Sequence, residues 1–161
     1  MWDLDETLLS SEHLRSARHR RAPCILAELP EFNGTVLYDG IERAVRRLCH
    51  ARSALITSSP RWYVDQLLDH VLPDVTFDLL VTYDDVRSIK PDPEALLLAL
   101  TRLRVSPGHA VYIGDDHVDY AACLAADVRF LGAGWASAPT FPSSVEILAH
   151  PLDVLTVVEL S

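Results

Sequence analysis

Asp3 and Asp5 stand two residues apart in Asp3-Leu4-Asp5-Glu6-Thr7. Side chains two apart in an extended segment share a face, so both carboxylates project to one side. Held there, they repel each other or share a cation. Around a hard ion such as Mg²⁺, one can be an ionised nucleophile while the other exchanges a proton. On its own the pair also reads as a surface acidic patch. Three further groups widen the choice. Thr57, with Ser58 and Ser59 beside it, offers hydroxyls and amides near a helix start, a natural seat for phosphoryl oxygens. Helix capping is the plainer reading, above all for Ser59. Lys90 is the only lysine and precedes Pro91-Asp92-Pro93, a stiff loop from which it can offset charge on a carboxylate and a transferring phosphoryl group. Asp115, Asp116 and Asp119 follow an apolar run, a costly cluster unless a cation or strong donors compensate it. Asp116 also reads as a helix N-cap.

The elements that must position these groups follow one rhythm. Short apolar runs at Ser53–Thr57, Phe77–Val81, Ala110–Ile113 and Val128–Leu131 read as strands. Between them lie helical stretches: one opened by Ser59-Pro60, one running from Asp92-Pro93 to about Leu103, and one over Tyr120–Ala126. Earlier, Ser11 to about Leu29 reads as a helix, Glu31-Phe32-Asn33-Gly34 as a turn, and Gly40–His50 as a second helix with Ile41, Ala44, Val45 and Leu48 on its apolar face. Continuously apolar strands separated by helices indicate an α/β doubly wound, Rossmann-like parallel sheet covered on both faces. Sites in such folds lie at the carboxyl ends of strands, where Thr57 and Asp115 fall.

The 161 residues fit one domain, 1–161, with an ordinary globular balance of 49% hydrophobic and 23% charged residues. A net charge of −9 argues against a general nucleic-acid binder, yet a few local cations and a metal can still hold a small anion. Cys24, Cys49 and Cys123 lack CxxC spacing and read as reduced thiols packed in helices. No secretory pattern opens the chain, and no apolar run approaches the roughly 18 residues that span a bilayer, so no membrane association and a cytoplasmic location are expected.

Taken in order, Asp3-Leu4-Asp5-Glu6-Thr7, Leu55-Ile56-Thr57, Lys90-Pro91 and Gly114-Asp115-Asp116-His117-Val118-Asp119 resemble the motif series of haloacid dehalogenase-like (HAD) phosphohydrolases, over most of the chain and thinning after Ala138. The resemblance implies a Mg²⁺-dependent phosphatase. Asp3 would form an aspartyl-phosphate, and Asp5 would protonate the leaving oxygen and then activate water. Asp3, Asp5 (through its carbonyl) and Asp115 would hold the metal. Thr57 would bind a phosphoryl oxygen, with Ser58 beside it. Lys90 would balance charge, Asp119 would orient Lys90 or a metal-bound water, and Thr7 would support the loop carrying Asp5.

Two departures from the family pattern stand out. Family members usually carry an apolar strand before the first aspartate, central in the sheet; here only Met1 and Trp2 precede Asp3, and a segment ahead of Met1 is expected to be missing. Residues 8–37, about thirty in all, read as a short helical insert in place of a full cap. A reduced lid leaves the cleft open, suiting a phosphoprotein or a small phosphorylated molecule recognised with another subunit. The run Arg15-Ser16-Ala17-Arg18-His19-Arg20-Arg21 reads as a solvated helix face that could also meet an anionic substrate.

His117 reads as a surface residue, Tyr83-Asp84-Asp85 as ordinary loop, and Trp2 and Trp62 as packing groups. Rival readings are a non-catalytic or regulatory protein of the same fold, a phosphomutase, a 2-haloacid dehalogenase and a signalling receiver domain. The dehalogenases work without metal, so Asp5 and Asp115 argue against one. The acidic cluster at the end of the series argues against a receiver.

Overall fold

A computed structural model describes residues 1–20, 36–48, 50–136 and 140–158. Among the described residues, five short parallel strands lie among six α-helices. In chain order these are α1 (Arg15–Arg20), α2 (Ile41–Arg47), β1 (Ala54–Ile56), α3 (Arg61–Val71), β2 (Leu79–Val81), α4 (Glu94–Leu103), β3 (Val111–Gly114), α5 (His117–Ala126), β4 (Arg129–Ala133), β5 (Glu146–Leu148) and α6 (Val154–Val158). The strands β1 and β2 pair, as do β3, β4 and β5, all parallel. Trp2 joins the two groups by parallel bridges to Leu55 and Ile113. The order across the sheet is therefore β2, β1, the Trp2 segment, β3, β4, β5. The doubly wound α/β reading holds.

At the centre of this sheet stands the segment Met1–Asp3. Trp2 donates its amide to the Ala54 carbonyl and accepts from the Ile56 amide; Asp3 donates to Ile113, whose own amide donates to Met1. Trp2 is 2% exposed, which makes it the packing group expected from its type. Asp3 thus leaves the sheet centre at the carboxyl ends of β1 and β3.

Two apolar clusters cover the sheet. One gathers Trp2, Leu4, Leu8, Ile41, Leu55, Tyr63 and Leu67; the other gathers Ile56, Val81, Leu96, Ala99, Tyr112, Ala122 and Phe130. The helix α4 shows how sequence sets this packing. Ala95, Leu96, Ala99 and Leu100 repeat at helical spacing and are buried, while Leu97 between them is exposed. The helix α4 ends at Arg104 and α5 at Asp127, both in the left-handed region that closes helices.

Several boundaries differ from the sequence reading. The helix expected over Ser11 to about Leu29 is a 3₁₀ turn at Glu12–Leu14 followed by α1; its remainder, Arg21, Cys24, Cys49 and the turn at 31–34 lie outside the described residues. Phe77 lies outside β2. The helix read over Tyr120–Ala126 begins earlier, because Asp116 and Asp119 form a capping box that starts it at His117. The elements β5 and α6 were not anticipated; they are short, and α6 packs Val154 into the core. Among the described residues, no helix is long and apolar enough to cross a membrane.

Candidate active site

The Leu4 carbonyl accepts the amides of Thr7, Leu8 and Leu9, folding the chain into a tight turn just past the sheet centre. Glu6 takes a left-handed backbone, φ 61°, at the crest of this turn. Its carboxylate accepts the Ser11 amide at 2.7 Å and the Tyr38 hydroxyl at 2.9 Å, fixing a conformation that costs a side-chain-bearing residue about 1 kcal/mol. Asp3 and Asp5 flank that turn and line one cleft of about 430 Å³, together with Thr57, Ser58, Lys90, Asp115 and Asp119. Every one of the candidate residues except Thr7 opens onto it.

Lys90 is buried and bonds Asp3 Oδ1; its Nζ lies 2.6 Å from Asp119 Oδ1 and 2.9 Å from the Tyr112 hydroxyl. Its loop is held locally. The Glu94 carboxylate accepts the Arg87 and Ser88 amides, and Asp92 Oδ1 accepts the Glu94 amide at 2.9 Å, although Pro93 rather than Asp92 holds the position before α4. Burial alone would lower the Lys90 ammonium, but Asp119 and Asp3 more than offset it and hold it above its usual range.

Two buried carboxylates share that one ammonium. Burial pushes Asp3 well above the usual carboxylate range; Lys90 opposes this, while Asp119 and Asp5 add to it. Asp115 is pushed up to about 7, first by burial and then by Asp119, against a 3.0 Å hydrogen bond from Thr7. Asp3, Asp115 and Asp119 offer oxygens all within 4.8 Å of one another. Oxygen-only, acidic and short of positive charge, this donor set fits a hard divalent cation such as Mg²⁺. Asp119 is the least available member: Oδ1 meets Lys90 and the Tyr112 hydroxyl, and Oδ2 accepts the Asp116 amide.

Asp5 points its carboxylate elsewhere. Oδ1 accepts the Tyr63 hydroxyl at 2.9 Å, and Oδ2 accepts Ser59 Oγ at 2.5 Å and meets Arg18 Nη1 at 2.8 Å. Ser59 is thus not the helix cap it was read as; Pro60 occupies the position before α3, and the Asp84 carboxylate accepts the Arg61 amide instead. The Tyr83-Asp84-Asp85 segment, read as ordinary loop, is a 3₁₀ turn that fastens β2 to α3: Asp85 Oδ2 accepts from Thr82 and meets Arg61 at 2.9 Å.

The remaining candidates fall as follows. Thr57 is buried at the end of β1, and its Oγ1 accepts the Ser59 amide at 3.0 Å, leaving its own hydrogen to donate into the cleft. Thr7, expected to support the Asp5 loop, donates its amide to the Leu4 carbonyl within that turn and its hydroxyl to Asp115 Oδ1, and its carbonyl accepts Trp135 Nε1 at 2.9 Å. His117 is exposed and sits edge-on to Phe141, as a surface residue does. Cys123 is buried in α5, and burial raises its thiol. Tyr112, Tyr63 and Trp135 were not anticipated. Each acts through one polar atom on an otherwise packed ring, which leaves no local signal in sequence.

A second cavity of similar size lies at the opposite, amino ends of the strands, lined largely by apolar groups including Trp2, Leu103 and Val158. It holds none of the acidic cluster.

Residues 25–133 match the family model described as haloacid dehalogenase-like hydrolase. Over 100 residues the chain is 34% identical to a phosphoglycolate phosphatase of Pseudomonas putida, covering 61% of this chain and 37% of that protein. It is 44% identical over 59 residues to pyrophosphatase PpaX of Bacillus velezensis, covering 37% of this chain and 27% of that protein. The chain therefore spans well under half the length of these curated relatives. A solved HAD-superfamily hydrolase from Geobacter sulfurreducens shares the fold, with a TM-score of 0.78, 19% identity, and coverage of 97% of this chain and 96% of that one.

Proposed function

The chain belongs to the haloacid dehalogenase-like hydrolase family, and from that premise we propose that it hydrolyses phosphate monoesters through an aspartyl-phosphate on Asp3. The observation that carries this reading is the ring of groups at the strand ends: Lys90 between Asp3 and Asp119, with Asp115 close enough to share a cation.

An Asp3 carboxylate oxygen attacks phosphorus, and the bond from phosphorus to the leaving oxygen breaks. Asp5 gives that oxygen a proton, then takes one from the water that attacks the aspartyl-phosphate, releasing inorganic phosphate and restoring Asp3. Thr57 and Ser58 donate to phosphoryl oxygens beside the start of α3. Lys90 keeps Asp3 and the phosphoryl group from repelling each other, and Asp119 with Tyr112 keeps Lys90 in place. A Mg²⁺ ion held by Asp3, Asp115 and the Asp5 carbonyl would supply the remaining positive charge. The acidic cluster favours this chemistry over dehalogenation, which has no use for it. The relatives named as phosphoglycolate phosphatase and pyrophosphatase point to a small phosphorylated substrate.

The test is hydrolysis of an aryl phosphate with Mg²⁺, with a chelator, and with Asp3→Asn. Turnover that needs the metal and vanishes in Asp3→Asn, with the fold intact by circular dichroism, supports the reading. Turnover that survives Asp3→Asn defeats it.

A further inference from the structure

Trp135 lies just past β4, and its indole N–H donates at 2.9 Å to the carbonyl of Thr7, 128 positions away in the chain. Thr7 is fully buried, where a carbonyl needs a donor. The hydroxyl of the same residue donates to Asp115 Oδ1 at 3.0 Å. Two hydrogen bonds therefore run from the end of β4, through the turn past Asp5, to the carboxylate at the end of β3.

The donor end of this relay is held by β5. Gly134 gives its amide to the Leu148 carbonyl at 2.9 Å, and Ala136 gives its own to Ala133 at 3.3 Å. The approach of β5 is close: a Cβ on Gly134 would meet the Leu148 carbonyl oxygen at 2.7 Å and Ile147 Cγ2 at 2.6 Å. The Trp135 ring packs against the cluster that contains Leu4 and Leu8, so it meets the turn from a fixed direction.

A small hard ion makes such a hold matter. Mg²⁺ demands near-octahedral geometry, so each carboxylate must present its oxygen at a defined place. Groups behind a ligand that fix its orientation change metal affinity by about 10–100-fold. Asp115 takes that hold from the Thr7 hydroxyl. Thr7 takes its place from its amide bond to the Leu4 carbonyl and from Trp135.

Resting on the reading of Asp3, Asp115 and the Asp5 carbonyl as a Mg²⁺ site, we propose that Trp135 is a positioning residue for that site. Its indole N–H, acting through Thr7, sets the orientation of Asp115 and so the affinity for the cation. Trp135 does not itself line the cleft. The short strand β5 thereby bears on the chemistry by fixing the residue that fixes Thr7.

The probe is Mn²⁺, which suits the same oxygen ligands and whose free ion is counted by electron paramagnetic resonance, with Mg²⁺ added to compete. Trp135→Phe keeps a ring and removes the N–H. Its dissociation constant for Mn²⁺ is expected to rise about tenfold. Thr7→Val should raise it at least as much, and the double variant no further, because the hydroxyl that the indole places is gone. Turnover of an aryl phosphate by Trp135→Phe should recover toward wild type in saturating Mg²⁺, which a loosened fold would not do. The Trp135 indole N–H resonance gives a second reading without substitution at that position, and it decides the matter should Trp135→Phe not fold. Mg²⁺ should move it in wild type and leave it unmoved in Thr7→Val. Wild-type affinity in Trp135→Phe, a further loss in the double variant, or a resonance that stays put in wild type or still moves in Thr7→Val overturns the proposal and leaves the metal site standing. Wild type that binds no Mn²⁺ overturns both.

Discussion

Lys90 Nζ stands 2.6 Å from Asp119 Oδ1, although α4 and β3 lie between them in the chain. Tyr112, on β3, donates its hydroxyl to the same carboxylate and accepts from the same ammonium. The arrangement ties the Lys90 loop, the centre of the sheet and the start of α5 into one buried network.

Removing the ammonium leaves Asp3 and Asp119 facing each other without compensation. Lys90→Met is expected to lose about 3–5 kcal/mol of stability, the usual consequence of orphaning a buried charge, and all measurable turnover. Urea denaturation at neutral pH measures the first. A variant as stable as wild type would show that the ammonium does not hold this network together.

Gly114 is where β3 makes way for Asp119. A Cβ at this position would meet Asp119 Oδ2 at 2.6 Å and its Cγ at 2.8 Å, closer than real side chains tolerate. Gly114→Ala should therefore cost about 1–3 kcal/mol, as overpacking does, and lower kcat by shifting Asp119 away from Lys90. Thermal unfolding and initial rates together check it. An alanine variant with wild-type melting temperature and rate would contradict the close approach.

Asp5→Asn keeps the shape of the side chain but cannot move a proton. The expected loss in kcat is about 10²–10⁴-fold for an alkyl phosphate, whose leaving oxygen needs protonation. For a nitrophenyl phosphate, whose leaving group departs as an anion, the first turnover should be spared and read as a burst of nitrophenolate, because only the later attack of water on the aspartyl-phosphate still needs Asp5. A first turnover slowed equally on both esters would remove Asp5 from the proton-donor role.

Asp85 offers a test of pH dependence away from the cleft. Partial burial raises its carboxyl, but hydrogen bonds from Thr82 and the Arg61 guanidinium outweigh this and hold it below its usual value. A lowered folded-state pKa stabilises above the unfolded value, about 3.9, and that contribution disappears as pH falls through the folded one. Asp85→Asn should thus cost about 1 kcal/mol at pH 7, mostly from its bonds to Thr82, since the ion pair with Arg61 is exposed and screened. The gap between variant and wild type should close below pH 4. Chemical denaturation at pH 7 and pH 3 measures both ends, and a gap unchanged at pH 3 would rule the carboxylate charge out as its origin.

How much of this was legible before folding can be read from particular residues. Thr57, Lys90 and Asp115 could be picked out because each follows a short apolar run or sits in a stiff loop, and Asp3 because it stands two residues from Asp5; all are local patterns. The cap at Asp116 was legible for the same reason, since a cap binds amides two or three positions along, whereas Pro93, not Asp92, holds the position before α4. Ser59 was misread because its serine-proline setting looks like a cap, while its partner, Asp5, lies far away in sequence. The short elements β5 and α6 carry too few residues for periodicity to register.

By itself, then, the order of residue types determined the alternation of strand and helix and which acidic, basic and hydroxyl groups lie at strand ends, because those depend on spacing along the chain. Only the tertiary structure decided how the groups are coupled: the Met1–Asp3 segment bridging two halves of the sheet, Lys90 shared by Asp3 and Asp119, and Asp5 turned to Arg18, Ser59 and Tyr63. Those pairings join residues far apart in the chain, and burial gives them their strength by removing the water that would screen them.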